Sequence, residues 1–205
     1  MTFRKLILLG LAASLSACVS ILPNPDPAPK VYRLGSNFTA VDQSPAAELV
    51  RVDRATAAKV FSSTDIVVAD DGQKLSVVAE ANWAETTPTL IQSAMIDALS
   101  SSPRFVGLTS TSGASTETRL NLAIQNFEAN FDNGMRSAPM AIVSYRVTYT
   151  DVADRELLGT FTARQTRRAD SINVSSIVSA IEAANQAAMI DIVNWMETRQ
   201  SRSGS

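Results

Sequence analysis

The second half of the chain alternates apolar and polar residues over long stretches. The apolar set falls on even positions over 120–124 and on odd positions over 127–131. Because successive side chains of a strand point to opposite faces, this change of phase predicts one long strand with a bulge near Gln125-Asn126. After a turn at Asp132-Asn133-Gly134, the alternation predicts a strand over 143–149 and, after 151–154, a half-solvated antiparallel strand from residue 158 to 164.

Shorter apolar runs in the first half also predict strands. They lie at 31–34, 49–52 and 105–106. Two further runs, 66–69 and 75–79, flank Asp70-Asp71-Gly72-Gln73. The Asp-Gly pair accommodates the positive φ angles of a tight turn, so these two runs predict a hairpin.

Two segments have apolar residues at helical spacing. The first follows Thr87-Pro88, where threonine caps the helix and proline takes the first helical position, and it ends at Ser102-Pro103. The second begins at Ser171 or Asn173 and runs to residue 198, with 200–205 expected to fray. We interpret both apolar stripes as core; for the second, a partner-binding or membrane-surface role is the alternative.

The first 17 residues are typical of a lipoprotein signal peptide. Arg4 and Lys5 precede an apolar run over 6–15, and Leu15-Ser16-Ala17-Cys18 follows as a lipobox. The run is too short for a membrane span, which needs about 20 apolar residues. We therefore expect cleavage before Cys18, which then carries a diacylglyceryl thioether and an N-acyl chain.

The predicted domain organisation follows from this cleavage. Residues 1–17 are the signal peptide, 18–30 a tether, 31–198 one α+β domain and 199–205 a disordered tail. Prolines at every second position from 23 to 29 indicate an extended, semi-rigid spacer, and an ordinary disordered terminus is the alternative. Within the domain, we expect a mainly antiparallel sheet packed against two helices.

Composition removes several classes of chemistry. The chain has no histidine and Cys18 is its only cysteine, which excludes Ser-His-Asp and Cys-His catalysis, the usual zinc ligand sets and an intramolecular disulfide. The formal charge is −2, and loss of Arg4 and Lys5 takes the mature chain to −4. This charge argues against nucleic-acid binding.

Arg164, Arg167 and Arg168 are the residues considered for anion binding. Guanidinium groups match phosphate in a bidentate way, so the three side chains are candidates for contact with lipid phosphates or an acidic partner. We interpret them instead as an ordinary solvated strand end, because no aromatic or glycine context supports an anion site.

The order of several segments carries a family resemblance. A lipobox and proline tether precede Val31-Tyr32-Arg33-Leu34, and Asn82-Trp83-Ala84-Glu85 precedes a helix of Pro88-Thr89-Leu90-Ile91-Gln92 type. Phe105-Val106, a strand ending in Gln125-Asn126-Phe127-Glu128-Ala129 and a terminal helix ending in Val193-Asn194-Trp195 complete the series. Nearly the whole mature chain thus resembles the ABC-type transport auxiliary lipoprotein family.

The resemblance implies an anchored accessory protein without a catalytic residue or a cofactor beyond the lipid on Cys18. It implies work with an MCE-domain protein, a permease and an ATPase in moving lipids between envelope membranes. Trp83 is then either a partner contact or, as we prefer, a core anchor between helix and sheet. Val19 after the cysteine favours the outer over the inner membrane, with the domain facing the periplasm.

Two other classes of function stay open on the sequence. One is a periplasmic lipid carrier with its own cavity, whose cargo would be phospholipid. The other is an envelope enzyme acting through carboxylates such as Glu80 or Glu85. Exposed strand edges also make a homo-oligomer an alternative to a monomer.

Overall fold

The computed structural model describes residues 28–35, 37–70 and 74–203. The predicted signal peptide, Cys18 and most of the tether lie outside these residues, as does the turn 71–73 of the predicted hairpin. The strands of the described part are β1 (Lys30–Tyr32), β2 (Glu48–Val52), β3 (Thr56–Ala57), β4 (Asp65–Asp70), β5 (Lys74–Trp83), β6 (Phe105–Leu108), β7 (Thr118–Phe131), β8 (Met140–Asp151) and β9 (Leu157–Arg168). Its helices are α1 (Thr87–Leu99) and α2 (Val174–Ser203), and a short 3-10 turn lies at Lys59–Phe61.

Strand β7 is the centre of the mixed sheet. On one side it pairs antiparallel with β8, which pairs antiparallel with β9. On its other side, β2, β3 and β4 lie one after another along β7, each parallel to it. Parallel strand β6 flanks β2, antiparallel β5 flanks β4, and β1 joins the end of β5. The predicted α+β fold is confirmed, with antiparallel pairing between the long strands.

The predicted bulge in β7 is confirmed. The register between β7 and β8 shifts between Ile124 and Asn126. Leu122 before the shift and Phe127 after it are both buried at 2% exposure, although their positions differ in parity. The extra residue therefore keeps the apolar side chains of one long strand on the core side throughout.

The two helices cover one face of the sheet. The predicted stripe of α1 is buried at Ile91, Ala94, Met95, Ala98 and Leu99. The N-cap is Thr86, one residue before the predicted position, and its carbonyl accepts a hydrogen bond from the backbone N–H of Leu90 at 3.1 Å. Helix α1 packs closely on β6, because Gly107 presents no Cβ to the backbone of Ile96.

Helix α2 is a core helix. It begins beside Asn173, whose carbonyl accepts from the backbone N–H of Ile177 at 3.0 Å, and continues to Ser203, beyond the predicted start of the tail. Residues 174–199 are long and apolar enough to span a membrane, but over half of the apolar window is buried within the domain. The apolar face of α2 is therefore used in packing on β7, β8 and β9.

A buried hydrogen bond joins α2 to the sheet. The Tyr145 hydroxyl donates to Asn185 Oδ1 at 2.7 Å, and both side chains are at most 1% exposed. Burial raises the pKa of Tyr145 well above its ordinary value, so the hydroxyl stays neutral and remains a donor. Further along α2, Trp195 stacks on Phe161 of β9 with ring centroids 5.4 Å apart.

Candidate functional site

The three candidate arginines do not form one cluster. Residues 164 and 168 of β9 point to the face of the sheet opposite the helices, where Arg164 reaches Asn126 and Arg168 reaches Asp132. Arg167 has the other parity, although it and Arg168 both line a cavity of about 130 Å³ beside Ser176 and Ser179 of α2. Alternation along a strand explains the separation, because neighbouring side chains leave on opposite faces.

Arg168 holds the turn between β7 and β8. Its guanidinium makes a bidentate ion pair with Asp132, with Nη2 and Oδ2 2.7 Å apart, and Nη1 also donates to the carbonyl of Ala138 at 3.0 Å. The hydrogen bonds from Arg168 lower the pKa of Asp132. These contacts engage Arg168 within the fold and give it a structural role at this turn.

Arg164 belongs to a polar strip on the face of the sheet opposite the helices, which we define as Asn126, Glu128, Asn130 and Arg164. Arg164 Nη1 donates to Asn126 Oδ1 at 3.1 Å, and Asn126 Nδ2 donates to Glu128 Oε1 at 2.9 Å. The strip begins at the bulge of β7, since Asn126 is the first residue after the register shift. A guanidinium and a carboxyl are thus linked through one amide.

Glu128 is the chemically unusual member of the polar strip. It is only 5% exposed, and its Oε2 has no hydrogen-bond partner among the described residues. Burial raises the pKa of Glu128, and this effect exceeds the opposing ones of the Asn126 hydrogen bond, the Phe127 backbone and the Arg164 charge. Asn130 Oδ1 is likewise buried without a partner in the described part. The strip can therefore accept hydrogen bonds.

Sequence reasoning did not identify Glu128, because residue 128 lies on the polar parity of β7 and is expected to face water. Its burial depends on neighbouring strands that are distant in the chain: Val67 lies opposite it on β4 and Ile142 on β8. Only the nearby bulge, which the sequence does indicate, marks this part of the strand as a place where function is common.

Trp83 lies in the core. It is the last residue of β5, is 2% exposed, and its ring centroid is 5.8 Å from that of Phe127. The indole Nε1 has no hydrogen-bond partner in the described part of the chain. The ring is thus packed in the core against Phe127 and offers no surface to a partner in this conformation.

The carboxylates considered for catalysis are on the surface. Glu80 lies in β5 with a φ of 56°, and Glu85 follows that strand; both are exposed. Among the described residues, no group of three or more aspartates and glutamates is arranged to hold a metal ion.

A cleft of about 490 Å³ lies where β7 meets the turn between β8 and β9. Its lining is Arg119, Asn121, Thr150, Asp151, Val152 and Arg155. Lipid-binding cavities need predominantly apolar walls, because acyl chains offer no polar groups for pairing. Charged Arg119, Asp151 and Arg155 line this cleft beside the apolar Val152, and an acyl chain offers no group that pairs with these charges.

Comparison with known proteins gives a family assignment and a fold match. A family model described as ABC-type transport auxiliary lipoprotein component matches residues 32–193. None of the curated proteins matches the chain in sequence.

Two solved structures show the same fold. A Xanthomonas campestris protein of the family DUF330 is 17% identical with a TM-score of 0.74, covering 85% of this chain and 98% of the other. A second structure, of an uncharacterized protein, is 10% identical with a TM-score of 0.66, covering 83% and 99% of the two chains. At these identities the likeness concerns the fold alone.

Proposed function

The chain belongs to the family of ABC-type transport auxiliary lipoprotein components, and we propose that it is the anchored, non-enzymatic subunit of an MCE-type system that moves lipids between envelope membranes. The observation that carries this proposal is the family match over 32–193, which spans the domain from β1 into α2. Members of a lipoprotein family act in the cell envelope. The MCE-domain protein, permease and ATPase are the partners we expect.

The proposed anchor is Cys18. A diacylglyceryl group and an N-acyl chain bury several tens of methylene groups at about 0.8 kcal/mol each, so membrane attachment is effectively permanent. The outer membrane is the proposed site, with the domain facing the periplasm. Nine residues lie between Cys18 and Ala28, the first described residue, so the domain works close to the membrane surface.

An accessory role fits the structure better than a carrier role. The described cleft of about 490 Å³ is lined by the charged Arg119, Asp151 and Arg155, and the core between sheet and helices is filled by side chains such as Trp83, Phe105 and Tyr145. Lipid cargo is then held by a partner, and this domain contributes docking or positioning. Self-association through strand edges remains a prediction of the sequence.

In-cell photo-crosslinking tests this function. A photoreactive residue replaces exposed Arg167 in the full-length protein, a matched variant carries it at exposed Leu157, and products are identified by mass spectrometry. Recovery of the MCE-domain protein or the permease from either position supports the proposal. Recovery of only unrelated envelope proteins from both positions contradicts it.

The carrier alternative has its own readout. Phospholipid is measured in the purified domain cut before Val31. Lipid-free domain that still captures the MCE-domain protein excludes a carrier, whereas stoichiometric phospholipid would favour one.

A further inference from the structure

Three large apolar side chains are exposed on neighbouring connections at one end of the domain. Met135, in the turn between β7 and β8, is 56% exposed; Ile172, just before α2, is 51% exposed; and Leu75, near the start of β5, is 38% exposed. Single exposed apolar residues are ordinary on protein surfaces. Several at one end of a molecule indicate a contact surface instead.

A shared cavity wall and a backbone hydrogen bond place these connections side by side. Met135 lines a cavity of about 220 Å³ together with Lys74 and Ser76 of β5. The same turn is joined to the segment before α2, because the backbone N–H of Ala169 donates to the carbonyl of Pro139 at 2.9 Å. The Arg168 contacts with Asp132 and Ala138 reinforce this junction.

The tether enters the domain at the same end. Lys30, the first residue of β1, lines a cavity of about 440 Å³ with Tyr32, Ile172 and Asn173. Lys30 directly follows the last proline of the tether. We name this surface the tether-side end and define it by the apolar Leu75, Met135 and Ile172 and the cations Lys30, Lys74, Arg136 and Arg167.

Charge at the tether-side end differs from that of the whole chain. Its four cations are all exposed; the connections that form it carry Asp70, Asp71 and Asp170 beside Asp132, which is paired with Arg168, and the tether adds Asp26. The mature chain as a whole has a formal charge of −4 (−2 less the charges of Arg4 and Lys5). Cations next to exposed apolar side chains suit a surface that presents phosphates above acyl chains.

We propose that the tether-side end lies against a phospholipid bilayer, with Met135, Ile172 and Leu75 between the headgroups and the four cations beside lipid phosphates. This inference rests on the proposed lipidation of Cys18. The ten residue steps from Cys18 to Ala28 extend at most about 36 Å, so the anchor keeps this end facing the membrane. The anchor thereby keeps the bilayer at a high effective concentration near this end, so weak insertion of the three apolar side chains is enough to maintain the contact.

Site-directed labelling tests the contact. Cys18 is the only cysteine, and lipidation blocks its thiol, so a cysteine introduced elsewhere is labelled alone. Ile172→Cys and Met135→Cys carry a nitroxide in the full-length lipoprotein reconstituted in phosphatidylethanolamine and phosphatidylglycerol vesicles. Leu157→Cys is the matched control, since Leu157 is 57% exposed and begins β9 about 36 Å from Arg168 at the other end of that strand.

The expected result is that labels at residues 172 and 135 lose accessibility to a water-soluble nickel complex and gain accessibility to oxygen on reconstitution, whereas the label at 157 does not change. Protein that floats with vesicles while all three labels stay in water overturns the contact surface and leaves the anchor intact. Protein that does not float overturns the anchor and the contact together. Protection that appears only when transporter subunits are added assigns the surface to a protein partner and also overturns the proposal.

Charge variants provide an independent readout. Lys30→Glu combined with Arg136→Glu is expected to restore accessibility of the label at residue 172 to the nickel complex, because lipid phosphates then repel this end. Arg155→Glu, on the distant turn between β8 and β9, is the control and is expected to leave the label protected. Equal effects of both changes would contradict a specific contact.

Discussion

Glu128 is a buried carboxyl whose charged form is disfavoured by the fold. Its folded-state pKa is raised above the ordinary value of 4.5 by burial, so the native state retains a proton that the unfolded chain has already lost. The protonated Glu128 stabilises the folded state fully at pH values below the ordinary pKa of 4.5. This contribution is lost as the pH rises through the raised pKa of the folded state. Ionisation of Glu128 therefore lowers stability towards neutral pH.

We expect Glu128→Gln to raise the free energy of unfolding at neutral pH and to have little effect well below pH 4.5. The amide oxygen can still accept the hydrogen bond from Asn126, and the buried charge is removed. Urea denaturation at the two pH values measures the difference. Glu80→Gln, at an exposed glutamate of β5, is the control; a gain of the same size at both pH values would show that burial of charge is not the cause.

The candidate arginines show what sequence can and cannot predict at the scale of single residues. Alternation along β9 is enough to assign the Arg167 side chain to the face opposite that of Arg164 and Arg168, because the sequence gives the parity of each position. The partners could not be predicted: Asn126 lies 38 residues and Asp132 lies 36 residues from the arginine that binds it. Only the sheet register brings them together.

At the scale of elements, the close packing of α1 on β6 depends on the absence of a side chain at Gly107. A Cβ built on Gly107 lies 3.0 Å from Ile96 Cα and 3.1 Å from Leu99 Cδ1, and the first of these atoms is backbone that cannot turn aside. Gly107→Ala is expected to lower the free energy of unfolding by about 1–3 kcal/mol, measured by urea denaturation.

Gly159 in β9 provides the contrasting variant. The atoms that a Cβ would meet belong to the end of the Arg199 side chain, which lies over Trp195 and can move into solvent. Gly159→Ala is therefore expected to change stability by no more than about 0.5 kcal/mol. Equal costs at both glycines would refute the argument from backbone contact.

Loss of the hydrogen bond between β8 and α2 is expected to lower the stability of the fold measurably. Tyr145→Phe removes the donor to Asn185 Oδ1 and leaves that oxygen buried at 1% exposure without it. We expect a loss of about 1–3 kcal/mol in the free energy of unfolding, the usual penalty for a buried group deprived of its partner. If the bond is the cause, combining Tyr145→Phe with Asn185→Leu costs less than the sum of the two single changes.

Element prediction succeeded where the signal was local. The bulge of β7, the stripe of α1 and the meander over β7, β8 and β9 all follow from periodicity and turn residues. The two-residue strand β3 has no such signal, and the parallel placement of β2 and β4 along β7 depends on pairing across many residues. Such pairing is decided by burial in the assembled sheet, which no short window of sequence contains.

At the scale of the whole molecule, anchor and domain are expected to be independent. Cys18→Ala is predicted to leave circular dichroism and the unfolding midpoint of the purified protein unchanged, because the family match and the described core begin after residue 28. Membrane fractionation should show loss of the protein from the membrane, and transport should cease. Full activity of an unacylated periplasmic form would show that the anchor is dispensable.

The position of β7 in the chain also determines the order in which the strands can pair during export. Strands β2, β3 and β4 occupy residues 48–70, yet the strand that they share lies at 118–131. A chain that crosses a membrane with its N-terminus first presents these three strands long before β7 arrives, whereas β7, β8 and β9 are joined by short turns and can pair as they emerge. The strands β4 and β5 can pair as soon as both have emerged, but the edges that β2, β3 and β4 present to β7 stay unpaired until the second half follows, and export exposes these edges to the chaperones on the far side of the membrane.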